Sequence, residues 1–489
     1  MLLRYVFVIL SAGLLLPAAG CYSSGSDGPP VPLSLIDDGE GMKKYWFYRQ
    51  RLVENFLGIA DTVSDAGHQN GWSIPANEIF RGDSIKWGDA TTYLGWYIAV
   101  LATEYELLNS GRLSVYPEYQ FRLSSAAALE ATGRELHRAL LAVQRVDRVG
   151  ENAFLQLNGD TCTNGTDREG FFIRDDVPST FAAQLTRPKN MAGSDFIAAD
   201  PFDKEMSQDQ IYHLLMGLAM VKRYANVMVE GTQLGDLAVT ISGRLVHWVS
   251  KTPENPLNGV WQLENPACGS KLVKRGESAG WFSTGLVRAI EFISPDGTWR
   301  ALNEPVNENL WLNFPLSAGL SNLTPVLDEN VLTDNLHMAM VLSATGNGWG
   351  NLTQDALVSM ADVHGWYAYP LIHFALHGAG SAWGVNREII RNKVIPMLAQ
   401  APSVALPAPC TGGICEDPVP VLEGSGPSNQ SITPGWRSSH RFLSGREEQV
   451  GSVDTSDSDE LIGLLVRVDY NGLDFMLLHN LYRLAFASR

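Results

Sequence analysis

DATTYLGWYIAVLATEYELLNS, residues 89–110, is the stretch on which the fold turns. Tyr93, Leu94, Tyr97, Leu101 and Tyr105 recur at three- and four-residue spacing, the period of an α-helix. Gly95, Ala99 and Ala102 make the opposite face small and apolar too, so this helix is expected to be buried on more than one side. A second run repeats the pattern, with Tyr212, Leu215, Met216, Met220 and Tyr224 set against Gly217 and Ala219. By contrast, Glu130, Arg134, Arg138, Arg145 and Asp147 give the run at 123–147 a charged face expected to be solvated. Deeply buried helices beside outer helices with charged faces imply two concentric layers, which is how helical hairpins arranged in a ring bury their surfaces.

Outward from these runs the chain reads as all-α, with helices expected at 41–62, 89–110, 123–147, 207–229, 234–251, 277–293, 333–345, 353–361, 365–378, 385–399, 457–467 and 473–487. Strand-like alternation is scarce. Phe154–Leu157 and Phe171–Arg174 suggest a short hairpin, and a few Trp-containing segments suggest local pairing. Several helices begin alike, on Asp89, Asp209, Asp334 or Asp474 in the first turn. A helix start presents unpaired N–H groups and partial positive charge, so capping is a sufficient physical job for each aspartate.

The amino end is of a different kind. One positive charge at Arg4, an apolar run from Tyr5 to Leu16 and small residues before Cys21 read as a secretory signal over 1–20. Ala18-Ala19-Gly20-Cys21 resembles the bacterial lipobox, which implies an acylated Cys21 (a palmitate-type anchor) at the new amino terminus and a place in the bacterial cell envelope, at the outer membrane or cell surface. Residues 21–40, rich in Gly, Ser and Pro, read as a flexible tether, and 41–489 as the helical domain. No later stretch is apolar for long enough to cross a membrane, so the lipid is expected to be the only membrane attachment.

Acids outnumber bases 53 to 36, giving a formal net charge of -17, which argues against nucleic acid as a partner, since phosphate backbones recruit basic faces. Beyond Cys21 four cysteines remain in an oxidising compartment. The short Gly-rich loop between Cys410 and Cys415 suits a local disulfide and leaves Cys162 with Cys268. Zinc is the weaker reading, because no paired Cys-x-x-Cys or His partners are present. The acidic run 454–460 lacks the spacing of an EF-hand loop, and no Gly-rich phosphate loop, Gly-x-Ser-x-Gly elbow or His-Glu-x-x-His occurs, so no metal and no cofactor are expected.

Three segments carry a family likeness: Trp87-Gly-Asp89-Ala-Thr-Thr-Tyr-Leu-Gly95 running into Leu101–Tyr105, Met206-Ser-Gln-Asp209-Gln210 running into Gly217–Ala219, and His364-Gly-Trp366-Tyr-Ala-Tyr-Pro370. The chain resembles the six-hairpin, or (α/α)-toroid, glycosidase-like superfamily, spread over about 41–487 as a pattern. That resemblance implies a toroid with minor β-hairpins in its loops, and aspartates at the mouths of inner helices as general acid and base. Asp89 and Asp209 match those settings; the Trp-containing segment that usually follows the second aspartate is missing. Trp87, Tyr93, Gln210, Asn335, His337, Trp366 and Tyr367 are the expected substrate contacts.

A glycosidase needs two carboxylates flanking one bond, whereas a lyase needs a group that abstracts a proton beside a carboxylate. For the second chemistry the candidates are Tyr212 with His213, Asn335 with His337, and His364 with Tyr367. Most of the thirteen tryptophans fall in or beside expected loops, where they can stack on sugar rings or fill gaps beneath the loops. The expectation is therefore an exported, lipid-anchored protein that binds and cleaves a carbohydrate, as hydrolase or lyase. The rival is a non-catalytic glycan- or protein-binding lipoprotein of the same fold.

Overall fold

The computed structural model describes residues 40–53, 57, 78–80, 84–86, 90–115, 125–156, 169–173, 206–250, 263–265, 272–274, 279–294, 341–342, 357, 367–377, 391–398 and 472–486. Of these, 84% are helical, as a mainly-α chain requires. The helices are α1 (Glu40–Arg51), α2 (Ala90–Asn109), α3 (Ser125–Gln156), α4 (Gln208–Tyr224), α5 (Leu234–Ser250), α6 (Ala279–Ile293), α7 (Ala368–His377) and α8 (Leu473–Phe486), with a further helical stretch at 391–398. Strand is confined to two-stranded antiparallel pairs: β1 (Glu78–Phe80) with β2 (Ser84–Lys86), β3 (Met228–Val229) with β4 (Thr232–Gln233), and β5 (Leu263–Asn265) with β6 (Leu272–Lys274).

The two small-residue faces meet each other. A Cβ on Gly95 would lie 2.2 Å from the His213 carbonyl oxygen, and one on Gly217 would lie 2.5 Å from the Gly95 carbonyl oxygen. Only glycine lets two helix backbones approach this closely. Gly95 sits opposite His213 and Leu214, and Gly217 opposite Gly95 and Ile98, so residue numbers rise together along both helices. Helices α2 and α4 are therefore parallel and start at the same end.

The same bookkeeping orders their neighbours. Asn480 donates to the Val100 carbonyl and the Thr103 hydroxyl, and Arg483 to the Arg112 carbonyl, which makes α8 parallel to α2. The hydroxyl of Tyr224 donates to the Ala375 carbonyl at 2.7 Å, and Phe292 meets His377 edge-on, so the carboxyl ends of α4, α6 and α7 lie together. Helix α3 runs against α2, with Thr132 facing Glu104 and Glu135 facing Tyr97. Helix α5 folds back on α4 through the β3–β4 hairpin, where Glu230 (φ 48°) and Gly231 (φ 79°) form the two-residue loop. Positive φ at both positions is the turn whose twist suits a two-residue hairpin. Asp147 with Arg244 and His137 with Glu230 then align α3 and α5 in one direction. Helices α2, α4 and α8 thus point one way, and α3 and α5 run opposite to α2 and α4.

Two expectations fail here. The Phe154 hairpin does not form: α3 continues to Gln156, and Phe171–Ile173 lies unpaired by any strand, with Ile173 N–H donating to the Val146 carbonyl at 3.2 Å. Asp147 is not solvated but 5% exposed, because Arg244 reaches it at 2.5 Å and Gly170 N–H at 3.1 Å. A partner about a hundred residues away turned an apparent surface charge into a buried one. The helix expected over 41–62 is described as α1 to Arg51 and goes on as a wider turn through Val53, with Leu57 N–H bonded back to the Leu52 carbonyl five residues earlier; 54–56 and 58–62 lie outside the described residues.

Candidate functional site

The amino ends of α2 and α4 gather most of the described candidates. Ser207 is extended (φ −129°, ψ 165°) and starts α4; its N–H donates to Gln210 Oε1 at 3.1 Å and its hydroxyl donates to Asp209 Oδ1. Asp209 is partly exposed, whereas every residue from Gln210 to Val221 is buried. The carboxylate therefore sits where the positive end of a buried helix meets the outside. His213 lies four residues on, on the same helix face. Its Nδ1 accepts the Trp96 indole N–H at 2.8 Å. An indole only donates, so Nδ1 presents its lone pair and the neutral ring carries its proton on Nε2. In this tautomer Nε2 can only give a proton, and the lone pair that could take one is engaged by Trp96.

Tyr93 is 2% exposed in the first turn of α2. Beside it, the Thr91 and Thr92 hydroxyls are fully buried with no hydrogen-bond partner, and so is Gln208 Nε2 in the first turn of α4. Buried polar groups are rarely left unmatched, because each such atom costs roughly 1–3 kcal/mol. Three of them at one end of the helix pair make a polar, unsatisfied region next to Asp209. Tyr367, 3% exposed, immediately precedes α7 and is not brought to this end by any described contact. Asp89, His364, Trp87, Asn335, His337 and Trp366 lie outside the described residues, as do Cys21, Cys162, Cys268, Cys410 and Cys415.

A larger polar cluster was not foreseen. Arg49 on α1 is fully buried, with Nε on Glu104 Oε2 at 2.8 Å and Nη2 on Glu135 Oε2 at 2.7 Å. Tyr45 donates to Glu104 Oε2 at 2.6 Å, Thr132 to Glu104 Oε1 at 2.6 Å, and Tyr97 to Glu135 Oε1. Asn480 of α8 donates to the Tyr45 hydroxyl at 3.1 Å, and His479 stacks on the Tyr45 ring at 4.9 Å. Burial raises the Tyr45 hydroxyl well above its ordinary range, and the neighbouring Glu104 adds to this. Burial alone would lower the Arg49 guanidinium, but Glu104 and Glu135 outweigh it and hold it above its usual value. Each of the four carboxylate oxygens accepts a hydrogen bond and all members are buried, so the cluster ties α1, α2, α3 and α8 together and offers no substrate a way in. A lone acid inside the doubly buried run Leu101-Ala-Thr-Glu104-Tyr was the signal that a buried cation had to exist elsewhere.

Among the described residues no group of three or more His, Cys, Asp or Glu is placed to hold a metal ion, and no helix is long and apolar enough to cross a membrane. No family model, curated protein or solved structure matches the chain.

Proposed function

We propose that the chain is an exported lipoprotein, acylated on Cys21 and held at the bacterial cell envelope, whose helices close into an (α/α) toroid that binds and cleaves a carbohydrate. The observation that carries this reading is the parallel packing of α2 and α4, which start at one end with Asp209 partly exposed there. Helix α2 begins one residue after Asp89, so the proposal brings both aspartates to one mouth. There they act as general acid and base in hydrolysis, with His364 as the proton-abstracting group if the reaction is elimination. The unmatched Thr91, Thr92 and Gln208 atoms support a ligand rich in hydroxyl groups at the same end. The capping contacts of Ser207, Asp209 and Gln210 favour the second reading, a non-catalytic glycan- or protein-binding toroid of the same build.

The two readings part on Asp89→Asn and Asp209→Asn. Under the first, each substitution abolishes turnover on a panel of uronic-acid-rich and neutral glycans while the melting temperature hardly moves. Under the second, each costs about 0.5–2 kcal/mol of stability, and the parent protein turns over nothing on the panel.

A further inference from the structure

Helix α7 carries His373 and His377, four residues apart and so on one face. His373 is 1% exposed, and neither of its ring nitrogens has a hydrogen-bond partner. A neutral imidazole always holds one donor and one lone pair, so burial without a protein partner leaves both unmet, at a cost that folds normally avoid. The His377 ring lies 4.9 Å away, tilted by 57°. Its Nε2 meets the Val341 carbonyl at 3.0 Å, and since a carbonyl only accepts, Nε2 carries the proton and Nδ1 keeps its lone pair. A histidine whose outer N–H is pinned to a backbone carbonyl, with the other nitrogen left as a lone pair, is in the state that metal-ligating histidines adopt. Phe292 closes the far side edge-on at 5.4 Å.

We propose that His373 and His377 together bind one singly charged copper ion. Late first-row metals favour imidazole nitrogen, and two histidines at this helical spacing present ligands to a common point. The charge argument selects the monovalent ion. Both ligands are neutral, no described carboxylate completes a three-residue group, and Arg223 places positive charge near His377. The desolvation cost of an ion grows with the square of its charge, so a buried site of neutral rings opposes a dication far more than a monocation. Burial, and then the neighbouring His377, hold His373 well below the usual histidine range; burial lowers His377 to about 4, partly offset by the Val341 contact. Both rings are therefore neutral, the form that ligates, without any proton having to leave.

The full chain, stripped with a chelator, is titrated with Cu(I) under reducing, oxygen-free conditions against a coloured Cu(I) chelator, with Zn(II) in parallel. The expected result is one more Cu(I) per chain than in His373→Phe or His377→Gln, together with a melting temperature that rises with Cu(I) only in the parent. Both variants keep all five cysteines, so the difference belongs to the imidazoles. His373→Phe keeps an aromatic ring in place, and His377→Gln keeps an N–H for the Val341 carbonyl, so each variant provides an independent chance of a folded control. Equal Cu(I) uptake in parent and variants, no uptake, or uptake of zinc in preference to copper would each overturn the proposal.

Discussion

Arg49 shows what one buried charge demands. Set between Glu104 and Glu135 with no exposure, it gains from both carboxylates, yet its Nη1 finds no partner and the trio carries one net negative charge. Such an arrangement is costly to break and of little net gain to make, since removing one member strands the others without water. Glu135→Ala is expected to destabilise the protein by about 3–5 kcal/mol, read from the urea midpoint, because it leaves Arg49 and the Tyr97 hydroxyl short of an acceptor. Glu135→Gln, which keeps an acceptor in place, is expected to cost less; equal losses would show that shape rather than hydrogen bonding matters here. The polar start of α4 was legible in the sequence, because Ser207, Asp209 and Gln210 are neighbours. The partners of Arg49 were not, because they lie 55 and 86 residues away and no local pattern links them.

Among the described residues, helices were legible where their period was unbroken; 457–467 and most of 333–345 and 353–361 lie outside them. The expected 89–110, 234–251 and 473–487 are Ala90–Asn109, Leu234–Ser250 and Leu473–Phe486. The far end of α3 was misjudged because Asp147 looked like the solvated end of a helix, and only the arrival of α5 lets the helix continue past it. Glycines divide by what lies over them. Gly95→Ala would push a Cβ to 2.2 Å from the backbone of α4, which cannot swing aside, so a loss of about 1–3 kcal/mol is expected in denaturant unfolding. Gly133→Ala, whose Cβ would make ordinary 3.4 Å contacts with Tyr105 and Val229 in the middle of α3, is expected to add about 0.5–1 kcal/mol instead. If both changes behaved alike, the close approach of α2 and α4 would be wrong.

At the scale of the whole molecule, α8 lies against both α1 and α2, so the beginning and end of the described chain share one core. That core keeps histidines neutral. Burial depresses His373, takes His377 to about 4, and takes His479 to about 3, the last with Arg483 adding to the effect. In the unfolded chain these groups titrate near the ordinary value of about 6.5. The unfolded state therefore takes up protons that the folded state refuses; the stabilisation is complete above about pH 6.5 and is lost as pH falls towards 4 and then 3. Urea midpoints are expected to drop between pH 7.5 and 5, by up to about 1.4 kcal/mol per pH unit for each histidine at the steepest. A flat profile would mean these rings find protons or water that the packing denies them. Which helices are deeply buried was legible from their small apolar faces, whereas the direction of each helix was not, because direction is fixed by contacts between distant residues such as Gly95 with His213.

The functional account rests on α2 and α4 starting side by side, and a short cross-link tests that most directly. Asp89→Cys is paired with Asp209→Cys in one protein and with Arg223→Cys in another, each is treated with a bismaleimide spanning about the 8–10 Å between packed helix axes, and the links are mapped by mass spectrometry. The parallel arrangement predicts a link from 89 to 209 and none to 223, which sits at the far end of α4, roughly 20 Å along the helix at 1.5 Å per residue. A link from 89 to 223 without one to 209 would reverse the helix pair and remove the shared mouth on which the proposed chemistry depends.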